Sequence, residues 1–195
     1  MQRLGTLADL IQGQSLSTLR PRRTEESVAT LSVISTANIG DLFPTGPFKE
    51  AVVSTTSAER YRLEASDIVV PQSRRPLEAS IVGDEHAGFL VGPNVAAIRL
   101  KAAEFDPFAL AAILTSAPYR PIVEQLSAGS AAKNISLTHL AGVPIPPMEP
   151  ALQQRIRDFV LLGHQLSYEV GAWQQAMEKL VDQAIEQQVK ATSHD

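Results

Sequence analysis

The sequence predicts an α/β domain of the α+β kind over residues 1–148, then one long coiled-coil helix over 149–191 and a disordered tail at 192–195. Three observations carry this. All 13 prolines fall in the first 150 residues, so the stretch from Ala151 onward is free to be a single helix. Before Pro107 the apolar residues come in short β-branched runs broken by Gly, Pro and Asn, which is strand punctuation. After Pro107 the period turns helical. With 195 residues, 44% hydrophobic and 19% charged, the chain can bury a core and suits one domain with an appendage.

Element by element, Leu4, Leu7, Ala8, Leu10 and Ile11 recur at helical spacing and stop at Gly13, which reads as an opening helix with a glycine C-cap. Val28 to Ile34 alternates and is β-branched, a strand. Asn38-Ile-Gly-Asp41 reads as a turn, and Phe48 to Val53 as extended chain. Asp67 to Pro71 is a short buried strand ended by proline, and Ile81-Val82, Gly88 to Val91 and Val95 to Leu100 are further strands. Phe108, Leu110, Ala111, Ile113 and Leu114 make one helix, and Ile122, Val123 and Leu126 a second. Ser136 caps a single turn ending at His139, and each proline in Val143-Pro-Ile-Pro-Pro147 holds its predecessor extended.

The last helix gives the most quantitative signal. Leu152, Ile156, Phe159, Gly163, Leu166, Val170, Trp173, Met177, Leu180, Ala184 and Gln187 follow one another at alternating steps of four and three, a heptad seam. From residue 151 to 189 such a helix would be roughly 58 Å long, more than a domain of this size can cover. The seam therefore calls for a second helix, from another copy or a partner. The alternative is a helix folded back on its own domain.

Composition excludes whole classes of chemistry. There is no cysteine, hence no disulfide scaffold, thiolate metal site or cysteine nucleophile. His86, His139, His164 and His194 show no ligand spacing, and no metal or cofactor is expected. No hydrolase elbow, zinc-protease pair or dinucleotide-binding glycine run occurs, so the chain is expected to be non-catalytic. The adjacent acids Glu25-Glu26 and Asp84-Glu85 read as solvated loops. Neither a signal peptide nor an apolar run of spanning length is visible, so a soluble cytoplasmic protein without membrane association is expected. The net charge of −4 is not the usual footprint of a nucleic-acid binder.

Two basic loops stand out: Arg20, Arg22 and Arg23, and Arg74-Arg75 framed by Pro71 and Pro76. Arginine clamps phosphates and reads guanine bidentately, although isolated clusters are commonly just solvated. Gly129 to Asn134, with Lys133 and Asn134 at its end, is either a phosphate cradle or a helix-terminating turn.

Several segments together resemble one family. Leu4-Gly-Thr-Leu-Ala-Asp-Leu-Ile-Gln-Gly13, Leu63-Glu-Ala-Ser-Asp-Ile-Val69 and Ile98-Arg-Leu100 appear in order. They are followed by Phe105 to Tyr119, Ala128-Gly-Ser-Ala-Ala-Lys-Asn-Ile-Ser136, Leu140 to Pro147 and Gln153-Gln-Arg-Ile156. This order, closed by a long helix, resembles the DNA specificity (S) subunit of type I restriction–modification systems. The loop Pro71-Gln-Ser-Arg-Arg-Pro76 and the longer stretch from Pro147 to Gln153 depart from the family pattern.

The resemblance implies a target recognition domain over 1–148 and a dimerisation helix over 149–191. Subunits of this family usually carry two such domains and two antiparallel helices, so this chain resembles a half-sized version. The function implied is sequence-specific recognition of double-stranded DNA for an adenine methyltransferase (M) subunit, with a restriction subunit where the system cleaves. S-adenosylmethionine is expected on the methyltransferase, and the chain itself needs no cofactor. DNA contacts are expected from Arg20, Arg22, Arg23, Arg74, Arg75, Lys133 and Asn134. Homodimer contacts are expected from Leu152, Ile156, Phe159, Leu166, Val170, Trp173, Met177 and Leu180, on a bipartite inverted repeat. The rival expectation is an assembly or regulatory module that pairs through its helix and reads no DNA.

Overall fold

A computed structural model describes residues 1–22, 27–72, 78–101, 105–127 and 135–192, with only the backbone course described at 126, 127, 182 and 184–192. The chain opens with β1 (Gln2–Arg3), α1 (Leu4–Leu7), β2 (Ala8–Gln12), β3 (Val28–Ile34), β4 (Lys49–Ser54) and α2 (Thr55–Ala58). It continues with β5 (Ile68–Pro71), β6 (Ser80–Ile81), β7 (Leu90–Val91) and β8 (Val95–Leu100). Then come α3 (Pro107–Thr115), α4 (Arg120–Ser127), α5 (Leu137–Ala141), β9 (Pro144–Ile145) and α6 (Pro150–Thr192). Met1–Arg157 form one compact unit, which takes in the first two turns of α6, and Asp158–Asp195 form the other.

Three sheets make up the first unit: β2-β8-β5-β6, β4-β3-β7 and the pair β1-β9. One core cluster draws on both larger sheets, with Val33, Ile34 and Val53 from one and Val69, Val95 and Ala97 from the other. Along β8 the side chains alternate, so Ala96 and Ile98 are buried on the opposite face, and α3 packs against β6. All four residues of β5 are buried, because a strand covered on both faces reads as a continuous apolar run. These strands and the helices α3 to α6 agree with the sequence expectation.

The opening segment corrects it. Residues 4–11 do not form one helix; α1 is a single turn and β2 follows directly, pairing antiparallel with β8 from Ala8↔Leu100 to Gln12↔Ala96. The i, i+3, i+4 pattern of Leu4, Leu7, Ala8 and Ile11 also fits a turn followed by a strand, and the waiting edge of β8 decides between them. Nor is Gly13 a helix cap. Its N–H donates to the Val95 carbonyl at 2.9 Å, and a Cβ there would sit 1.8 Å from the Gly92 carbonyl oxygen. Glycine is needed for this close approach of two backbones. Gly13→Ala is expected to cost roughly 1–3 kcal/mol or more, read as a lower urea midpoint with an unchanged slope.

The junction between α3 and α6 is built from polar groups. Asp106 caps α3, its Oδ1 accepting from the N–H groups of Phe108 (2.8 Å) and Ala109 (3.1 Å). Gln153, almost fully buried, accepts from the Asp106 N–H at 2.6 Å and donates to the Met148 carbonyl at 2.9 Å. Arg157 donates to Asp106 Oδ2 at 3.1 Å while its guanidinium lies 4.8 Å from the Phe108 ring centre. Pro150 opens α6, a position where the missing N–H leaves no bond unmade.

Candidate nucleic-acid interface

Strand direction decides which loops meet. β8 is antiparallel to both β2 and β5, so Gly13, Gln72 and Val95 share one rim of the four-stranded sheet. Gln72 stitches this rim together. Its N–H donates to the Asn94 carbonyl at 2.8 Å, its carbonyl accepts from the Ile135 N–H at 3.0 Å, and its side-chain amide donates to the Ile135 carbonyl at 3.1 Å. The segment that carries Arg74 and Arg75 departs from this point, and the segment that ends in Lys133 and Asn134 returns to it. Arg23, Arg74, Arg75, Lys133 and Asn134 themselves lie outside the described residues.

Arg20 and Arg22 lie on the connection from Leu19 to β3. Both are exposed and lie between Leu19, which is in the core, and Val28 at the start of β3. β3 runs toward the rim, with Ile34 accepting from the Gly92 N–H at 2.9 Å, so Val28 marks its far end, about 20 Å away at strand rise. The structure thus joins the flanks of the 74–75 and 133–134 segments at the Gln72 rim.

Three residues that the sequence did not flag prove organised. Gln72 is the rim brace just described. Arg99 holds Asp67, with its Nε 2.9 Å from Oδ1 and its Nη2 2.7 Å from Oδ2, and it pairs with Glu64 at 2.6 Å. The hydrogen bond to Asp67 raises the pKa of Arg99 above its ordinary value, against the lowering effect of burial. Arg60 lies over the Tyr61 ring, 4.7 Å from its centre. A charge run such as Glu-Arg-Tyr-Arg gives no hint of which arginine is paired and which is not.

Beside Arg99 opens a cleft of about 310 Å³ lined by Ser66, Asp67, Phe105 and Arg157. Its arginines already face carboxylates, Arg99 on Asp67 and Arg157 on Asp106, so it offers a charged ligand little. Among the described residues no group of three or more His, Asp or Glu is placed to hold a metal ion, and no helix is long and apolar enough to cross a membrane.

Helix α6 carries one apolar face. Leu152, Phe159, Leu166, Val170, Trp173, Met177 and Leu180 are all exposed, with Phe159 at 77% and Trp173 at 64%, and Ile156 is half-buried. Leu162 and Val181, also exposed, extend the expected seam. At 3.6 residues per turn these ten fall within an arc of about 120°. A Cβ at Gly163 would meet nothing within 4 Å, so the seam has an open notch there.

No protein-family model matches the chain, and no curated protein sequence matches it. Solved structures do. The HsdS subunit from Thermoanaerobacter tengcongensis is similar over 90% of this chain and 38% of its own, with 21% identity and a TM-score of 0.54. A structure described as showing complex assembly and conformational transition of the type I R-M system is similar over 90% of this chain and 40% of its own, at 22% identity and a TM-score of 0.54. The type I restriction–modification S subunit from M. genitalium is similar over 92% and 41%, at 14% identity and a TM-score of 0.52. The chain thus spans about two fifths of the length of each, between 38% and 41%. It has the fold of part of these type I restriction–modification S subunits, a mixed α/β domain followed by a long helix.

Proposed function

We propose that this chain recognises double-stranded DNA as a half-sized specificity subunit, pairing through α6 with a second copy and reading a bipartite inverted repeat. The observation that carries the proposal is the apolar face of α6, exposed from Phe159 to Val181, in a chain that has an S-subunit fold. A closed two-fold pair would present two recognition domains, one for each half of the site. The chain performs no chemistry of its own. An adenine methyltransferase subunit supplies S-adenosylmethionine and flips the base, and the complex works in the cytoplasm.

DNA contacts fall to Arg20, Arg22, Arg23, Arg74, Arg75, Lys133 and Asn134. Selection from a randomised duplex library, using the protein with its co-purified methyltransferase, should enrich one split, inverted sequence. Replacing a phosphate-contacting arginine should weaken binding uniformly and lower the salt slope by about one unit. Replacing a base-reading arginine should cost roughly 1–3 kcal/mol at a single base position. One observation favours a second reading: before residue 150 there are 13 basic and 15 acidic residues, an acidic balance for a DNA-reading domain. No enriched sequence, together with no effect of replacing the five arginines, would make the chain an assembly module that pairs through its helix alone.

A further inference from the structure

We infer that Arg60 grips the phosphate backbone of the bound duplex from a position fixed by Tyr61. The inference rests on the DNA-recognition reading and adds to it a residue two positions before Arg62, which bridges Leu90 beside Val33 of β3. Tyr61 is buried in the core cluster together with Leu19, Val53 and Ala58, so its ring is held in place. Arg60 is exposed, and its guanidinium lies 4.7 Å above that ring. An arginine already resting on a fixed aromatic surface loses less side-chain freedom when it takes a phosphate than one that swings in water.

Its neighbours are already occupied. Arg62 pairs with Glu59 at 3.2 Å, and Arg99 takes both Asp67 at 2.7 Å and Glu64 at 2.6 Å. Among the described residues no carboxylate pairs with Arg60, so its charge is left for an outside anion. In an acidic domain an uncompensated cation is what makes a local positive patch.

The topology gives it company. Ser27 accepts from the N–H of Thr55 at 3.1 Å and from its hydroxyl at 3.3 Å, joining the segment after Arg22 to the segment before Arg60. Arg20 follows Leu19, which shares the core cluster with Tyr61. Arg22 is five residues before Ser27 and Arg60 five after Thr55. A duplex carries one charge per about 1.7 Å of axis and rewards several cations along one face. Because its head rests on the protein surface, Arg60 suits the outer phosphates better than a base edge deep in a groove.

The test measures binding of the full chain, with its co-purified methyltransferase, to a mixed-sequence duplex between about 50 and 200 mM salt. Arg60→Gln should lower the salt slope by about one unit and weaken binding to every sequence alike. Arg60→Lys should keep the slope but bind more weakly, having lost the ring-held fork. Lys49→Gln removes the same charge from β4, on the other side of β3 and β7 from the Arg62 bridge, and should leave the slope unchanged. A wild-type slope in Arg60→Gln while the Arg20 and Arg74 variants lower theirs would overturn the assignment of Arg60 and leave the DNA reading intact. An equal loss in Lys49→Gln would overturn it too, by showing a general charge effect. Wild-type protein that binds no duplex at the lowest salt would remove both readings together.

Discussion

Arg99→Met is expected to cost about 3–5 kcal/mol of stability, the range found when one member of a buried ion pair is removed. Asp67 is only 2% exposed and accepts three hydrogen bonds, two from Arg99 (2.9 and 2.7 Å) and one from the Glu64 N–H (2.8 Å). Without the guanidinium, a buried carboxylate keeps a single backbone donor. Arg99 also donates to the Arg62 carbonyl at 2.9 Å, so the same change frees the loop that leads into β5. Chemical denaturation of the wild type and the variant gives the difference directly. The double variant Asp67→Asn, Arg99→Met should recover part of it, because the charge that suffers is then gone. Equal midpoints for Arg99→Met and the wild type would mean that solvent, not Arg99, satisfies Asp67.

The other large effect concerns α6. Leu166→Asp or Val170→Asp should convert the proposed antiparallel homodimer into monomers while leaving the α/β domain folded. Leu166, Val170 and Trp173 lie near the middle of the helix, where two antiparallel copies would cross their two-fold axis. Each apolar side chain lost from the seam forfeits about 1.5–3 kcal/mol of burial, twice over by symmetry, and two carboxylates would face each other out of water. A dissociation constant raised about a thousandfold or more is expected, since each 1.4 kcal/mol is about a factor of ten. Light scattering at micromolar concentration reads it as a fall to 21.0 kDa. A wild-type mass of 21.0 kDa, rather than twice that, would sink the homodimer outright.

Elements whose signal is local were legible in the sequence. The runs at Val28–Ile34 and Val95–Leu100 carry their β-branched pattern within themselves, and the heptads of α6 need no other segment to be seen. What escaped depends on contacts distant in sequence. Residues 4–11 satisfy a helical period, and only their pairing with β8 turns most of them into a strand. Asp67 and Arg99 stand 32 residues apart, so nothing local marks them as a pair. Gln72 meets Ile135 across 63 residues, and an isolated glutamine has no sequence signature as a brace. The ring under Arg60 is adjacent in sequence, yet its burial is a property of the folded core.

The pairing of β1 with β9 matches Gln2 to Ile145, and the Leu4 N–H donates to the Val143 carbonyl at 2.9 Å. This has a consequence for the order of events at the ribosome. A domain that ties Gln2 to Ile145 cannot close until residue 145 has been made, and such distant pairings fold slowly. Synthesis adds about 5–20 residues per second, so the remaining residues of α6 follow within seconds to about ten. The apolar seam therefore emerges after the residues that close the domain. In the proposed homodimer, nascent neighbours on one messenger would then meet through their helices after their domains have closed, which favours pairing between chains made side by side.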